Sequence, residues 1–251
     1  MSWLFGVALL GLASGLMIGC IGIGGVILAP SLWFFAGTPI QVAISAATFA
    51  YLLSGIVGTT VFAREKSIDW PMVWWLCLGA APTAFLGGLT VQAADPRILQ
   101  GGIGLLALGS GINALWPQQT EKKRESLGIN KTLLVPIGAV VGFFSAISGT
   151  GGPMILVPIL ILMNLPVLLA VGLSQAIQLP IATAGTFGNL VHGRLDWSLA
   201  GTLAVVLTLG SWLGAKIAHR IPRKLMHRLV SVVLLVVGGL MLTSIIYRLE
   251  Y

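Results

Sequence analysis

Charge is the scarcest commodity in this chain. Its 251 residues include only 14 Lys or Arg and 7 Asp or Glu, 8% of the total. A soluble domain carries about 25%, so a water-facing surface cannot be covered, and soluble enzymes, disordered tails and nucleic-acid binders are excluded. Cysteine is almost absent too. Cys20 and Cys77 lie in apolar stretches without CxxC spacing, which excludes a disulfide scaffold or zinc knuckle and reads as small buried hydrophobes. The seven acids are scattered and the three histidines are not spaced as a ligand set, which argues against metal chemistry. No cofactor is expected. GxxxxGK[ST] is missing, so the chain itself does not hydrolyse ATP through a P-loop. What is abundant is apolar: 57% of residues, with mean hydropathy +0.99. The sequence is that of an integral membrane protein.

A spanning helix needs about 20 apolar residues. Charges, prolines and glycine clusters divide the chain into ten segments, near 3–18, 20–36, 41–63, 71–93, 98–116, 132–148, 152–164, 167–191, 197–217 and 229–247. The 20–36 and 152–164 runs are short or begin in glycines, and each is either a span or half of a re-entrant hairpin. The expected count is therefore eight to ten membrane segments. Leu16-Met17-Ile18-Gly19 before Cys20 looks like a lipoprotein cleavage site, but the first Lys or Arg is Arg64. A signal peptide needs a positive n-region, so no cleavage is expected.

The formal charge of +7 is a topology signal. Eleven basic residues fall on one side: Arg64 and Lys66, then Lys122, Lys123, Arg124 and Lys131, then Lys216, Arg220, Arg223, Lys224 and Arg228. Arg97, Arg194 and Arg248 fall on the other. The positive-inside rule puts the eleven in the cytoplasm and both termini outside. The eight tryptophans, Trp3, Trp33, Trp70, Trp74, Trp75, Trp116, Trp197 and Trp212, fall mostly at segment ends and read as interfacial anchors.

The halves repeat at an offset of 127. Asp69-Trp70 maps to Asp196-Trp197, Pro39 to Pro166, Gly58-Thr59 to Gly185-Thr186 and Gly87 to Gly214. Gly22, Gly24 and Gly25 map to Gly149, Gly151 and Gly152. The expected organisation is an N-terminal repeat (1–116), a charged cytoplasmic linker (117–131) and a C-terminal repeat (132–251). Five segments per repeat is an odd number, so the second repeat is expected to be inverted. Inverted repeats with glycine-broken helices point to a secondary transporter site near the bilayer midplane.

Broken backbone in hydrocarbon is tolerated only where protein buries it or it lines a cavity. A helix restarting there presents unpaired N–H groups and about half a positive charge, which together make an anion site. The bland alternative is close helix packing through small residues.

The GxGGxxxxP pattern from Gly22 to Pro30, with its looser partner from Gly149 to Pro158, resembles the TauE/SafE family of sulfite and organosulfonate exporters. The likeness extends to chain length and the charged central linker. It implies a small-anion transporter of the bacterial inner membrane, acting on sulfite, sulfoacetate or related sulfonates.

Among polar residues inside segments, repeat two is the richer. Ser174 and Gln178 are four apart and share a helix face, with Gln175 beside them and Pro180 nearby as a bend. A single Ser or Thr in a membrane helix commonly bonds its own backbone. The candidate anion ligands are Ser148, Thr150, Ser174, Gln175 and Gln178, with Gln41, Ser45 and Thr48 opposite and the glycines Gly22, Gly24, Gly25, Gly149, Gly151 and Gly152 supplying backbone. No acid or arginine falls within a segment, and Lys216 sits at a cytoplasmic end where it can snorkel. Neutral donors give about 1.5–3 kcal/mol each to a charged partner, enough in number to hold an anion and release it.

Without a midplane carboxylate, ion coupling has few carriers. Asp69 and Asp196 serve equally well as caps of the helices after them, and His192 lies at a segment end. Export of a monoanion from a negative interior gains about 2.3 kcal/mol per 100 mV, so uniport is expected. The alternatives are an anion channel using the same backbone and, more remotely, an intramembrane serine hydrolase built on Ser148 and His192. The expected partners are a small anion and the lipid bilayer, with monomer and homodimer both open.

Overall fold

A computed structural model of the chain describes residues 2–22, 24–95, 131–163, 165–191 and 195–218, with isolated helical positions within 98–112 and 225–243. Most of the fifth and tenth expected segments, the linker 117–130 and His192 lie outside the described residues. Regular structure among the described residues is helical throughout. The first half contains α1 (Ser2–Ile21), α2 (Gly25–Ala36), α3 (Ile40–Arg64) and α4 (Trp70–Ala93). After a 3₁₀ turn at Lys131–Leu133, the second contains α5 (Leu134–Ser148), α6 (Pro153–Leu162), α7 (Val167–Val191) and α8 (Trp197–Ala218).

Length sorts these helices. Five stretches are long and apolar enough to cross a membrane: Ile40–Arg64, Trp70–Val91, Lys131–Ser148, Leu168–Val191 and Trp197–Ala218. At 1.5 Å per residue, α3 and α7 reach about 37 Å, more than the roughly 30 Å hydrocarbon core. With 12 and 10 residues, α2 and α6 are about 18 and 15 Å long and cannot cross. They are the expected short segments 20–36 and 152–164, trimmed because the glycines belong to the break rather than the helix. The molecule is a multi-pass, all-helical membrane protein, and large apolar side chains cover its outside. Phe35 and Trp74 are both 70% exposed, a cost in water and none in lipid.

The helix starts follow the sequence closely. Asp69 Oδ1 accepts the Met72 N–H at 3.3 Å, and Asp196 Oδ1 accepts those of Ser198 and Leu199 at 3.0 Å. Both acids are therefore N-caps. Pro39 and Pro166 open α3 and α7 alike, their carbonyls taking the N–H groups of Ala43 and Ala170 at 2.9 Å. Trp70, Trp74, Trp197 and Trp212 lie on the outside, and the Lys216 ammonium sits 3.7 Å over the Trp212 ring. Cys20 is buried, Cys77 half-buried, and both are free thiols.

The 127-residue offset carries into three dimensions. It relates α3 to α7 and the starts of α4 and α8 without slippage. The closest-packed pairs, α1 with α8 and α4 with α5, exchange under the same shift. A Cβ on Gly15 would strike the Leu207 carbonyl, and one on Gly142 would strike that of Ala80, the same contact 127 residues on. Where Gly210 lies against the Leu12 carbonyl, its equivalent Thr83 donates its hydroxyl to Ala139 O at 2.8 Å. Small residues hold these helices together because lipid tails compete equally for apolar surface, leaving close contact as the driving force. Helices α3 and α7 are the most enclosed spans and cross at the centre.

Candidate functional site

Two chain breaks meet where α3 crosses α7. Helix α1 ends at Ile21, and Gly22 turns left-handed (φ +81°) while its N–H still bonds Ile18 O at 2.8 Å. The chain folds back at once, since a Cβ on Gly24 would overlap the Ser14 carbonyl of α1. Helix α5 ends the same way. Gly149, Gly151 and Gly152 have φ of +63°, +78° and +109°, a run that any Cβ would strain. All six glycines expected from the sequence therefore lie at the two breaks, and the breaks touch. A Cβ on Gly22 would stand 3.0 Å from Pro153 Cβ, and one on Gly25 would strike the Thr150 carbonyl.

The helices that restart here do not present equal N-termini. Helix α2 starts at Gly25 and keeps that residue's N–H, although the Ile27 N–H turns back to Gly24 O at 3.2 Å. Helix α6 starts at Pro153, which has none, and the N–H groups of Ile155 and Leu156 both turn to Gly152 O at 3.2 Å. The second break thus has less free backbone donor than its glycine count promises.

Tyr51, fully buried on α3, joins the breaks. Its hydroxyl lies 3.2 Å from Gly25 O and 3.0 Å from Gly149 O. Its equivalent at the 127-residue offset is Gln178 on α7, whose Nε2 donates to Tyr51 O at 3.3 Å and to Ser54 Oγ at 2.9 Å. The centre of the molecule is therefore a contact between two equivalent positions. One turn away, Gln175 Nε2 donates at 2.6 Å to Ile18 O, the carbonyl that already holds Gly22. Gln175 Oε1 is buried without a partner, and a Cβ on Gly58 would overlap it. Ser148 and Thr150 face each other across the second break, their hydroxyls 3.0 Å apart. Ser148 gives its proton to Phe144 O at 2.6 Å, so Thr150 is the donor between them.

The remaining sequence candidates are placed differently. Ser45, Thr48 and Ser174 give their hydroxyl protons to the carbonyls of Gln41, Ile44 and Ala170, each four residues back. This is the self-bonding typical of such residues in membrane helices, and it leaves only lone pairs to offer. Gln41, half-buried at the start of α3, lies about 15 Å along the helix from Tyr51. Tyr51 and Ser54 are polar residues within the expected segment 41–63, and nothing local in the sequence marks them as neighbours of the breaks. The signal that would have found Tyr51 is its alignment with Gln178 in the repeat. Among the described residues there is no cluster of metal-ligating side chains.

A multi-pass helical bundle with a neutral polar centre at paired helix breaks has the architecture of a membrane transport protein. The family model of "Sulfite exporter TauE/SafE" matches residues 7–241, and the chain belongs to this family of membrane transporters. Similar proteins include the probable membrane transporter protein YunE of Bacillus subtilis, 23% identical with 96% of this chain and 97% of the relative covered. A probable membrane transporter protein of Methanocaldococcus jannaschii is 26% identical over 93% of each chain. YjnA of Bacillus subtilis is 26% identical over 94% of this chain and 98% of its own length. No solved structure matches the chain.

Proposed function

We propose that the protein exports a small oxyanion, sulfite or a sulfonate such as sulfoacetate, across a bacterial inner membrane by alternating access. The observation that carries this is the junction itself: two broken helices, related by the repeat, are tied together by one phenol and flanked by two buried glutamines. The site holds no charged side chain from the described residues, so an anion meets neutral donors. Those are the Tyr51 O–H, the Gln175 and Gln178 amides, the Thr150 hydroxyl and the α2 N-terminus. An anion entering between the breaks draws these donors off the acceptors they now serve, which loosens the tie between halves. Such bonds strengthen to about 1.5–3 kcal/mol with a charged partner, which offsets the cost of about 1–3 kcal/mol for each acceptor left without its donor, so the exchange is reversible.

The repeats lie inverted in the bilayer, with both termini outside and the loop after Arg64 in the cytoplasm. The contacts of α1 with α8 and of α4 with α5 then form two equivalent hinges, one opening to each side. Export runs down the membrane potential, without a coupling ion.

The test is charge movement in liposomes on a solid-supported membrane, with sulfite, sulfoacetate, taurine, sulfate, acetate and phosphate. A saturable current to sulfite or a sulfonate, lost in Gln178→Ala, is expected. Unitary conductance steps would replace the carrier with a channel. Flux that vanishes when a pH gradient is collapsed at fixed voltage would overturn uniport.

A further inference from the structure

The outer half of α7 carries polar atoms that the central junction does not use. Asn189 is 2% exposed, and neither its Nδ2 nor its Oδ1 has a partner; Thr186, 6% exposed, has an unpartnered Oγ1. Buried side-chain polar atoms in folded proteins nearly always find one. Both residues continue the buried stripe of Gln175 and Gln178: Thr186 lies eight residues after Gln178 and Asn189 three after Thr186, spacings that keep one helix face. From Gln175 to Asn189 the stripe runs about 21 Å, from the inner half of the membrane to its outer end. One residue before Thr186, Gly185 brings this part of α7 close to α3, α4 and α5. A Cβ there would meet Thr48 Cγ2 at 3.2 Å, Ala146 Cβ at 3.4 Å and the Ala84 carbonyl at 3.7 Å.

Packing does not require these groups. In the equivalent place on α3, Asn189 is replaced by Phe62, fully buried and apolar. The equivalent of Thr186 is Thr59, whose hydroxyl is satisfied by Gln175 O at 3.0 Å. The fold therefore fills this position with hydrocarbon and a closed hydrogen bond in one half, and with an open amide and hydroxyl in the other.

An amide edge presents a donor and an acceptor side by side. A fully deprotonated oxyanion can use only the donor. We propose that Asn189 and Thr186 form a second substrate station, on the outward side of the central junction. It takes a small oxyanion that carries its own O–H or N–H, and so selects the protonated monoanion hydrogensulfite over anions without a donor. This rests on the anion-export reading: the substrate oxygen accepts from Asn189 Nδ2 and the Thr186 hydroxyl, while the substrate O–H donates to Asn189 Oδ1.

Two probes isolate the contact. Methanesulfinate has the charge and shape of hydrogensulfite with a methyl group in place of the hydroxyl. At one mildly acidic pH, the wild-type protein in liposomes is expected to prefer hydrogensulfite by at least about tenfold in apparent affinity, since sites built to bond a hydroxyl reject analogues lacking it. Asn189→Leu should bring that ratio to near one while melting at or above the wild-type temperature, because it removes unpartnered polar atoms from an apolar setting. Thr186→Val should weaken binding of both probes about equally and serves if the first variant does not fold. An unchanged ratio in Asn189→Leu with a lowered melting temperature would mean that the amide holds a structural water only, and would overturn the station. So would a wild-type ratio of one. If the wild type carries neither probe nor any sulfonate, the export reading itself falls.

Discussion

Tyr51→Phe removes one oxygen from the centre of the molecule and nothing else. The ring still fills its place, where a Cβ on Gly151 would lie 2.9 Å from Tyr51 Cδ2. What is lost is a phenolic proton shared between Gly25 O at 3.2 Å and Gly149 O at 3.0 Å. Gly149 O has no ready substitute, because the residue four places on is Pro153, which lacks an N–H. A buried acceptor left without a donor costs about 1–3 kcal/mol. One proton divided between two acceptors places the change near the middle, about 2 kcal/mol. For a chain of this size each kcal/mol moves the melting temperature by roughly 2–4 °C, so a fall of about 4–8 °C is expected. Thermal unfolding in detergent, followed by tryptophan fluorescence, measures it. Anion currents on the same preparation should show weakened apparent affinity, since one O–H donor has gone. A melting temperature within about 1 °C of wild type would show that the hydroxyl does not tie the breaks together.

Further outcomes follow from single contacts. Gly19→Ala should cost at least about 1–3 kcal/mol and lower folded yield, because its Cβ overlaps the Ser211 carbonyl and over-packing forces α1 from α8. Gly6→Ala, with nothing within 4 Å of the new carbon, should instead stabilise α1 by roughly 0.5–1 kcal/mol, both read as melting temperatures. Asp196→Ala should cost about 1 kcal/mol by loss of its cap, and Asp69→Ala less, since it holds one N–H where Asp196 holds two. Neither should change the pH dependence of transport, and a change in Asp69→Ala would make that residue a proton carrier. Gln175→Leu removes a donor to Ile18 O and an unpartnered Oε1 together. Its stability should stay within about 1 kcal/mol while transport falls at least tenfold; equal losses in both would make Gln175 a packing residue.

The sequence by itself determined the class of molecule and its segmentation. Too few charges to face water, prolines opening α3 and α7, and aspartates capping α4 and α8 are local signals, and local backbone chemistry obeys them. The glycine clusters fixed where two helices stop, because glycine takes the left-handed turns at Gly22 and Gly149 without strain. The offset of 127 was legible for the same reason, since each turn and cap is written twice.

Tertiary structure decided which polar residues meet. The partners of Tyr51 are carbonyls of Gly25 and Gly149, and a carbonyl has no letter of its own in a sequence. Ser45, Thr48 and Ser174 look like ligands in the sequence, yet nothing local shows that each hydroxyl bends back to its own helix. Asn189 and Phe62 occupy equivalent places, and their inequality means something only once both are buried beside α4, α5 and their mates. Helix breaks are decided by a few neighbouring residues; a site is decided by backbone and side chains brought together from both halves, and that requires the crossing of α3 and α7.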